Sequence, residues 1–173
     1  MKYRKEEDLY PEVKNWLYRF LRGRFPRAEI ITDDTHSVPL NEYMKRQGIG
    51  SLFGNQQWHT YEIQVDVAGF VIYKKRQELA LVECKLDQLT PSDLAQLLLY
   101  SRVALPLFSF LVSPAGLSGS LNNLLLTYGR LDILEYYSCR GEQPRRIILG
   151  RWSSRTKALV QGSVVPKGSM GRL

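Results

Sequence analysis

Asp66, followed after sixteen residues by Glu83-Cys84-Lys85, supplies two carboxylates and an ammonium within one stretch of strand-like sequence. Alternate side chains of a strand share a face, so Glu83 and Lys85 point one way and Cys84 the other. Mg²⁺ prefers oxygen ligands and keeps several waters, which suits Asp66, Glu83 and the backbone carbonyl of Cys84; Mn²⁺ would be held in the same way. A cation there polarises a phosphate and acidifies a water, and Lys85 can position that water or stabilise charge developing on phosphorus. The chemistry available to such a trio is hydrolysis of a phosphodiester.

The trio needs a hairpin to assemble it. Residues 61–73 and 78–85 read as two strands separated by the polar run Lys74-Lys75-Arg76-Gln77. With an even loop, Asp66 is expected across from Lys85, and Ala68 across from Glu83, on one shared face. One face then carries Ala68, Phe70, Leu79 and Leu81, and the other Val65, Val67, Val71, Ala80 and Val82. Both faces are apolar, so the hairpin belongs inside a covered sheet. Charged groups placed there are costly to desolvate unless they meet one another, a metal ion or a cleft.

Around the hairpin, Leu9, Val13, Trp16, Leu17, Phe20 and Leu21 predict an amphipathic helix over 8–22 with Pro11 in its first turn. A short strand is expected at 28–32, then an irregular loop over 34–60 with a short helix near Glu42. Thr90-Pro91-Ser92-Asp93 reads as a capped start to a helix over 91–103. A buried strand at 107–112, a helix over 117–128 and a strand at 131–137 follow. The fold class expected is α/β, a central mixed β-sheet flanked by α-helices.

Asp66 with Glu83-Cys84-Lys85 resembles the motif of the PD-(D/E)XK nuclease superfamily, and the element order over 8–113 is similar to that family's core, a restriction endonuclease-like fold. Val65 stands where the family often has proline. [DE]-x-K also occurs at Glu12-Val13-Lys14, inside a helix where it cannot form the strand geometry. The resemblance implies a Mg²⁺-dependent deoxyribonuclease, with Asp66 and Glu83 as metal ligands and Lys85 as the catalytic cation. It adds a helix acid, Glu12 or alternatively Glu7, and a Gln-x-x-x-Tyr element, Gln96 and Tyr100, on one helical face. Within the class the expectations are a restriction-like endonuclease, a repair or defence nuclease, or an archaeal-type Holliday junction resolvase. From another class, a non-cleaving nucleic-acid-binding module on the same fold would be marked by loss of the carboxylates or the lysine, and all three are present. Many relatives act as homodimers, an assembly this small chain is compatible with.

The chain has 173 residues, 44% hydrophobic, enough for one well-buried core. Its net charge of +7 is uneven: residues 1–139 hold 16 basic and 16 acidic side chains, whereas 140–173 hold eight basic ones against Glu142 alone. We therefore expect a nuclease-like domain over 1–140 and a basic, partly ordered extension over 141–173 that attracts polyanions, DNA foremost. Arg145 and Arg146 in that extension, and Lys45 and Arg46 in a loop with Phe53 and Trp58, are candidate nucleic-acid contacts. Two cysteines and two histidines, His36 and His59, argue against a disulfide framework or a zinc centre; His59 reads as structural. Without an apolar run of membrane length or a leader-like N-terminus, a soluble, cytoplasmic protein is expected.

Overall fold

The apolar spacing at the N-terminus closes into a helix as expected. In this computed structural model, which describes residues 3–53, 56–74, 77–140 and 143–170, a 3-10 turn at Glu6–Asp8 leads into α1 (Tyr10–Arg24). In chain order there follow β1 (Glu29–Asp34), α2 (Leu40–Arg46), β2 (Val67–Ile72), β3 (Gln77–Cys84), α3 (Pro91–Ala104), β4 (Phe108–Ser113), α4 (Gly119–Asn122), β5 (Glu135–Tyr137), β6 (Arg145–Ser153) and β7 (Ala158–Leu159). Among the described residues the strands form one mixed sheet in the order β1-β2-β3-β4-β6-β5, with β7 beside β6. β1, β2 and β3 run antiparallel, and β3, β4 and β6 are parallel.

Both faces of the sheet are covered, as the two-sided apolar pattern requires. α1 buries Val13, Trp16, Leu17, Phe20 and Leu21 against Val67, Val71, Ala80, Val82 and Phe110. At about 1.5–3 kcal/mol for each large side chain removed from water, this face alone is a major part of the stability. The approach is close because Gly69 has no side chain: a Cβ there would lie 2.8 Å from a Leu21 methyl and 2.9 Å from a Leu17 methyl. α2, α3 and α4 cover the other face, on which Ala68, Phe70, Leu79, Leu81 and Leu111 meet Met44, Leu97 and Leu121. Among the described residues, no helix is long and apolar enough to cross a membrane.

Several sequence expectations are adjusted. β2 starts at Val67 rather than residue 61. Tyr61, Ile63 and Val65 are buried in alternation, but the Ile63 and Tyr61 carbonyls accept from the N–H groups of Leu40 and Asn41 at the start of α2, not from a strand. The hairpin ladder closes at Ile72 opposite Gln77, so Ala68 faces Leu81 instead of Glu83. Tyr73 leaves the ladder and packs on Phe25, ring centroids 6.2 Å apart. The displacement is two residues, which preserves parity within the ladder, but ahead of Val67 the alternation breaks: Val65, expected on the face of Val67 and Val71, is buried with Ala68 and Phe70 instead. The helix expected over 117–128 is α4 continued by a π-helical turn, Asn123–Thr127, and the strand expected at 131–137 is a 3-10 turn followed by the short β5.

The largest correction concerns the expected boundary at residue 140. β6 lies inside the sheet between β4 and β5, with Ile147 and Leu149 fully buried. The polar, arginine-rich run before it hides a strand whose apolar part is only three residues long, Ile147-Ile148-Leu149. The last third of the sheet is thus built from the segment expected to be an extension.

Candidate active site

The site forms where β2 and β3 part. Beyond the last β1–β2 pair, Asp34 opposite Val67, the chain is held by Thr35, whose N–H donates to the Asp66 carbonyl (2.9 Å) and whose hydroxyl donates to the Val65 carbonyl (2.6 Å). Continuing the hairpin register would put Val65 opposite Cys84, but the Val65 carbonyl is engaged by Thr35. The Cys84 N–H therefore donates to Asp66 Oδ2 at 2.7 Å. Asp66 Oδ1 accepts from the Tyr10 hydroxyl of α1, also at 2.7 Å. The carboxylate is pinned between helix and hairpin.

Glu83, 3% exposed, lies near the end of β3, with β2 and β4 on either side. Its Oε1 accepts from Lys85 Nζ at 3.0 Å and from Gln96 Nε2 of α3 at 3.2 Å. Among the described residues its Oε2 has no hydrogen-bond partner although it is buried. The Lys85 N–H extends the parallel ladder to the Val112 carbonyl (2.9 Å), which fixes the backbone that aims its side chain. Cys84 turns to the opposite face and is fully buried, as alternation demands. Gln96 also donates to the Tyr100 hydroxyl at 3.3 Å, so the pair expected on one helical face acts as a unit on Glu83.

Of the acids ahead of and within the first turn of α1, Glu6 is the one the fold brings to Lys85 among the described residues. Glu12 accepts from the Tyr3 hydroxyl at 2.6 Å and lies 3.6 Å from Lys157 Nζ. Glu7 pairs with Lys5 at the surface. Glu6, in the 3-10 turn ahead of α1, approaches Lys85 Nζ to 3.6 Å. Helical periodicity could not find Glu6 because it precedes the amphipathic segment and reaches the site only through the turn into α1. Tyr10 was legible as a buried aromatic position, but its hydroxyl contact with Asp66 depends on helix–sheet docking.

The remaining candidates lie elsewhere. Arg145 donates to the carbonyls of Leu105 (2.9 Å) and Pro106 (3.1 Å) and covers the Tyr137 ring, while Arg146 is paired with Glu135. These guanidiniums fasten β6 to its neighbours. Lys45 and Arg46 are exposed at the end of α2, with Arg46 4.0 Å from Glu42. Trp58 and Phe53 pack inward: a Cβ on Gly50 would meet the Trp58 ring at 2.5 Å, and Phe53 sits 6.3 Å from Phe70.

Among the described residues, Glu83 and Glu6 pair with the Lys85 ammonium and the charge of Asp66 also reaches it. Burial pushes Glu83 up to about 7, reinforced by the charge of Asp66 and opposed by Lys85. Burial also raises Asp66, opposed by the Cys84 N–H and the Tyr10 hydroxyl, and raises Glu6, opposed by Lys85. For Lys85, burial works against the charge, but Glu83, Glu6 and Asp66 outweigh it and hold the ammonium firmly protonated. The excess negative charge and the open Glu83 oxygen fit an added hard cation. Among the described residues no three His, Cys, Asp or Glu side chains close around one point, so a cation would rely on two carboxylates, a backbone carbonyl and water.

A pH prediction follows for chelated, metal-free protein. Glu83 binds its proton more tightly folded than unfolded, so the stability this provides is present below its ordinary value of 4.5 and is lost as pH rises through about 7. The melting temperature should fall from about pH 5 to about pH 8, a loss of up to about 3 kcal/mol from this group. Glu83→Gln should flatten most of that slope; matching slopes in both proteins would contradict the assignment.

No family model matches the chain, and no curated relative matches it. Among solved structures it is similar to the MspJI restriction endonuclease in complex with a 27-mer oligonucleotide, with a TM-score of 0.42 and 10% identity, over 84% of this chain and 26% of that one.

Proposed function

We propose that the protein is a metal-dependent nuclease that hydrolyses DNA phosphodiester bonds, with Mg²⁺ or Mn²⁺ held by Asp66, Glu83 and the Cys84 carbonyl. The observation that carries this reading is the buried Oε2 of Glu83, without a hydrogen-bond partner among the described residues, in a group where Glu83 and Glu6 pair with Lys85 and the charge of Asp66 also reaches it. An ion pair serving stability alone would leave neither a surplus of charge nor an unused buried oxygen, because each is costly in a low-dielectric surrounding. When bound, the cation would supply Lewis acidity toward a phosphate oxygen and toward a water.

The chain's own residues divide the remaining work. Tyr10 and the Cys84 N–H orient Asp66, and Gln96, itself bonded to Tyr100, orients Glu83. Lys85, kept charged by its carboxylate neighbours, is available to a non-bridging phosphate oxygen as charge grows there. The spacing from Asp66 to Glu83-Cys84-Lys85, which resembles the PD-(D/E)XK motif, points to the same chemistry, and the positive net charge suits a polyanionic substrate.

The test is cleavage of linear, single-stranded, branched and circular DNA with Mg²⁺, with Mn²⁺ and with chelator. Metal-dependent cutting by the wild type that Asp66→Asn and Glu83→Gln abolish is the expected result. Equal background from wild type and variants on every substrate and metal would overturn the proposal.

A further inference from the structure

The turn that carries His36 is tied to the backbone beside Asp66, and its carboxylate–imidazole pair is unused by the chemistry above. Thr35, 1% exposed, bonds the carbonyls of both Val65 and Asp66, so the neighbouring residues are fixed relative to the site. Asp34, at the end of β1, uses one oxygen to accept from the His36 backbone N–H (3.2 Å) and to meet His36 Nδ1. The imidazole rests against the Tyr10 ring, centroids 5.1 Å apart, and the Tyr10 hydroxyl holds Asp66. The His36 side chain is 38% exposed, so the ring is fixed on its Asp34 side and open to solvent.

We propose that Asp34 and His36 are the proton-transfer pair of this site, His36 Nε2 protonating the oxygen that leaves phosphorus while Asp34 orients the ring through Nδ1. The proposal rests on the nuclease reading. A departing alkoxide is a strong base and needs a proton. Lys85 is held charged among carboxylates, Tyr10 is kept protonated by burial and by Asp66, and Asp66 and Glu83 face the cation. His59 lies tilted against the Trp58 ring, and its carbonyl accepts from Asn41 of α2. Among the described residues the groups facing His36 are Asp34 at the end of β1, Tyr10 from α1 and Asp66 at the hairpin; the Asp33 carboxylate is taken by Lys14 and Tyr43. The field of a charged His36 reaches Asp66 and opposes the upward push of burial there.

In the step, a lone pair of water forms the new bond to phosphorus. The bond to the leaving oxygen breaks with its electron pair on that oxygen, which takes the Nε2 proton. The proton shed by the attacking water passes to solvent, and imidazole regains one from solvent. Each turnover consumes one water and yields a phosphate monoester end and a hydroxyl end.

The experiment pairs single-turnover cleavage by wild type and His36→Gln with nitrogen NMR of the histidines in chelated protein. His36→Gln should slow cleavage roughly 100-fold, with DNA affinity and the Mg²⁺-induced melting shift unchanged, and should lose the alkaline fall of the pH–rate profile. A substrate with sulfur at the leaving position, whose thiolate needs no proton, should be cut by both within about threefold. The NMR should show neutral His36 protonated at Nδ1, a preference lost in Asp34→Asn. Wild-type-like turnover of the ordinary linkage by His36→Gln, an equal defect on the sulfur linkage, weakened binding with unchanged turnover, or an Nε2-protonated His36 would each overturn the pair alone. A wild type that cuts no substrate would overturn the nuclease reading and this proposal together.

Discussion

Lys85→Ala is expected to lower the single-turnover rate of metal-dependent DNA cleavage by roughly 10²–10³ while leaving DNA affinity nearly intact. The ammonium lies 3.0 Å from Glu83 and 3.6 Å from Glu6, held in place by a backbone that continues the β3–β4 ladder. Its charge is secured by three carboxylates, so it works as a fixed cation and not as a base. A fixed donor aimed at charge that grows only in the transition state affects turnover more than binding. Removing it also leaves the buried carboxylates without their protein counter-ion, so metal-free Lys85→Ala should melt below the wild type and recover more on adding Mg²⁺. Weaker DNA binding with unchanged turnover would assign Lys85 to substrate contact instead.

Truncation after residue 140 should abolish folding, not trim a tail. The removed segment contributes Ile147, Ile148, Leu149 and Trp152 to the two cores, together with Val164 and Val165. At about 1.5–3 kcal/mol for each large side chain, their burial is comparable to the whole net stability of a domain, about 5–15 kcal/mol. The cut would also bare the β4 edge, a template for aggregation. The check is far-ultraviolet circular dichroism with a thermal melt, where no cooperative transition is expected. A soluble fragment of residues 1–140 that melts cooperatively would show that the sheet survives without β6. The contribution of basic residues to DNA affinity is better measured at exposed Arg155 and Lys167, leaving β6 in place.

Different kinds of information made different parts legible. Parity along a strand is local, so within the ladder the separation of Ala68, Phe70, Leu79 and Leu81 from Val67, Val71, Ala80 and Val82 could be read from spacing alone. Register is not local: the two-residue displacement of Ala68 depends on where the ladder closes, at Ile72 opposite Gln77, with Tyr73 beyond it packed on Phe25. The α3 start was readable because a capping box is a four-residue device, realised with the Asp93 carboxylate accepting from the Thr90 N–H at 2.8 Å. The spacing of Gln96 and Tyr100 along α3 came with it, whereas the contact of Gln96 with Glu83 needed the helix docked on the sheet. β6 escaped notice because its apolar stretch is short and flanked by arginines, and those arginines proved to be ties to Leu105, Pro106 and Glu135.

Asp66, Glu83 and Lys85 were singled out by type and spacing, and the fold brings their charges within reach of one another. The sequence by itself determined their types, their spacing and the burial of both sheet faces, because two-residue alternation is a property of any extended chain. Only the tertiary structure brought Glu6 to Lys85, since Glu6 and Glu12 are separated by a turn of chain and no periodicity ranks them. It alone set Tyr10 on Asp66 and brought the Asp34–His36 turn alongside through Thr35. Those contacts join segments up to 56 residues apart, and only the packing of α1 and β1 against β2 makes them neighbours.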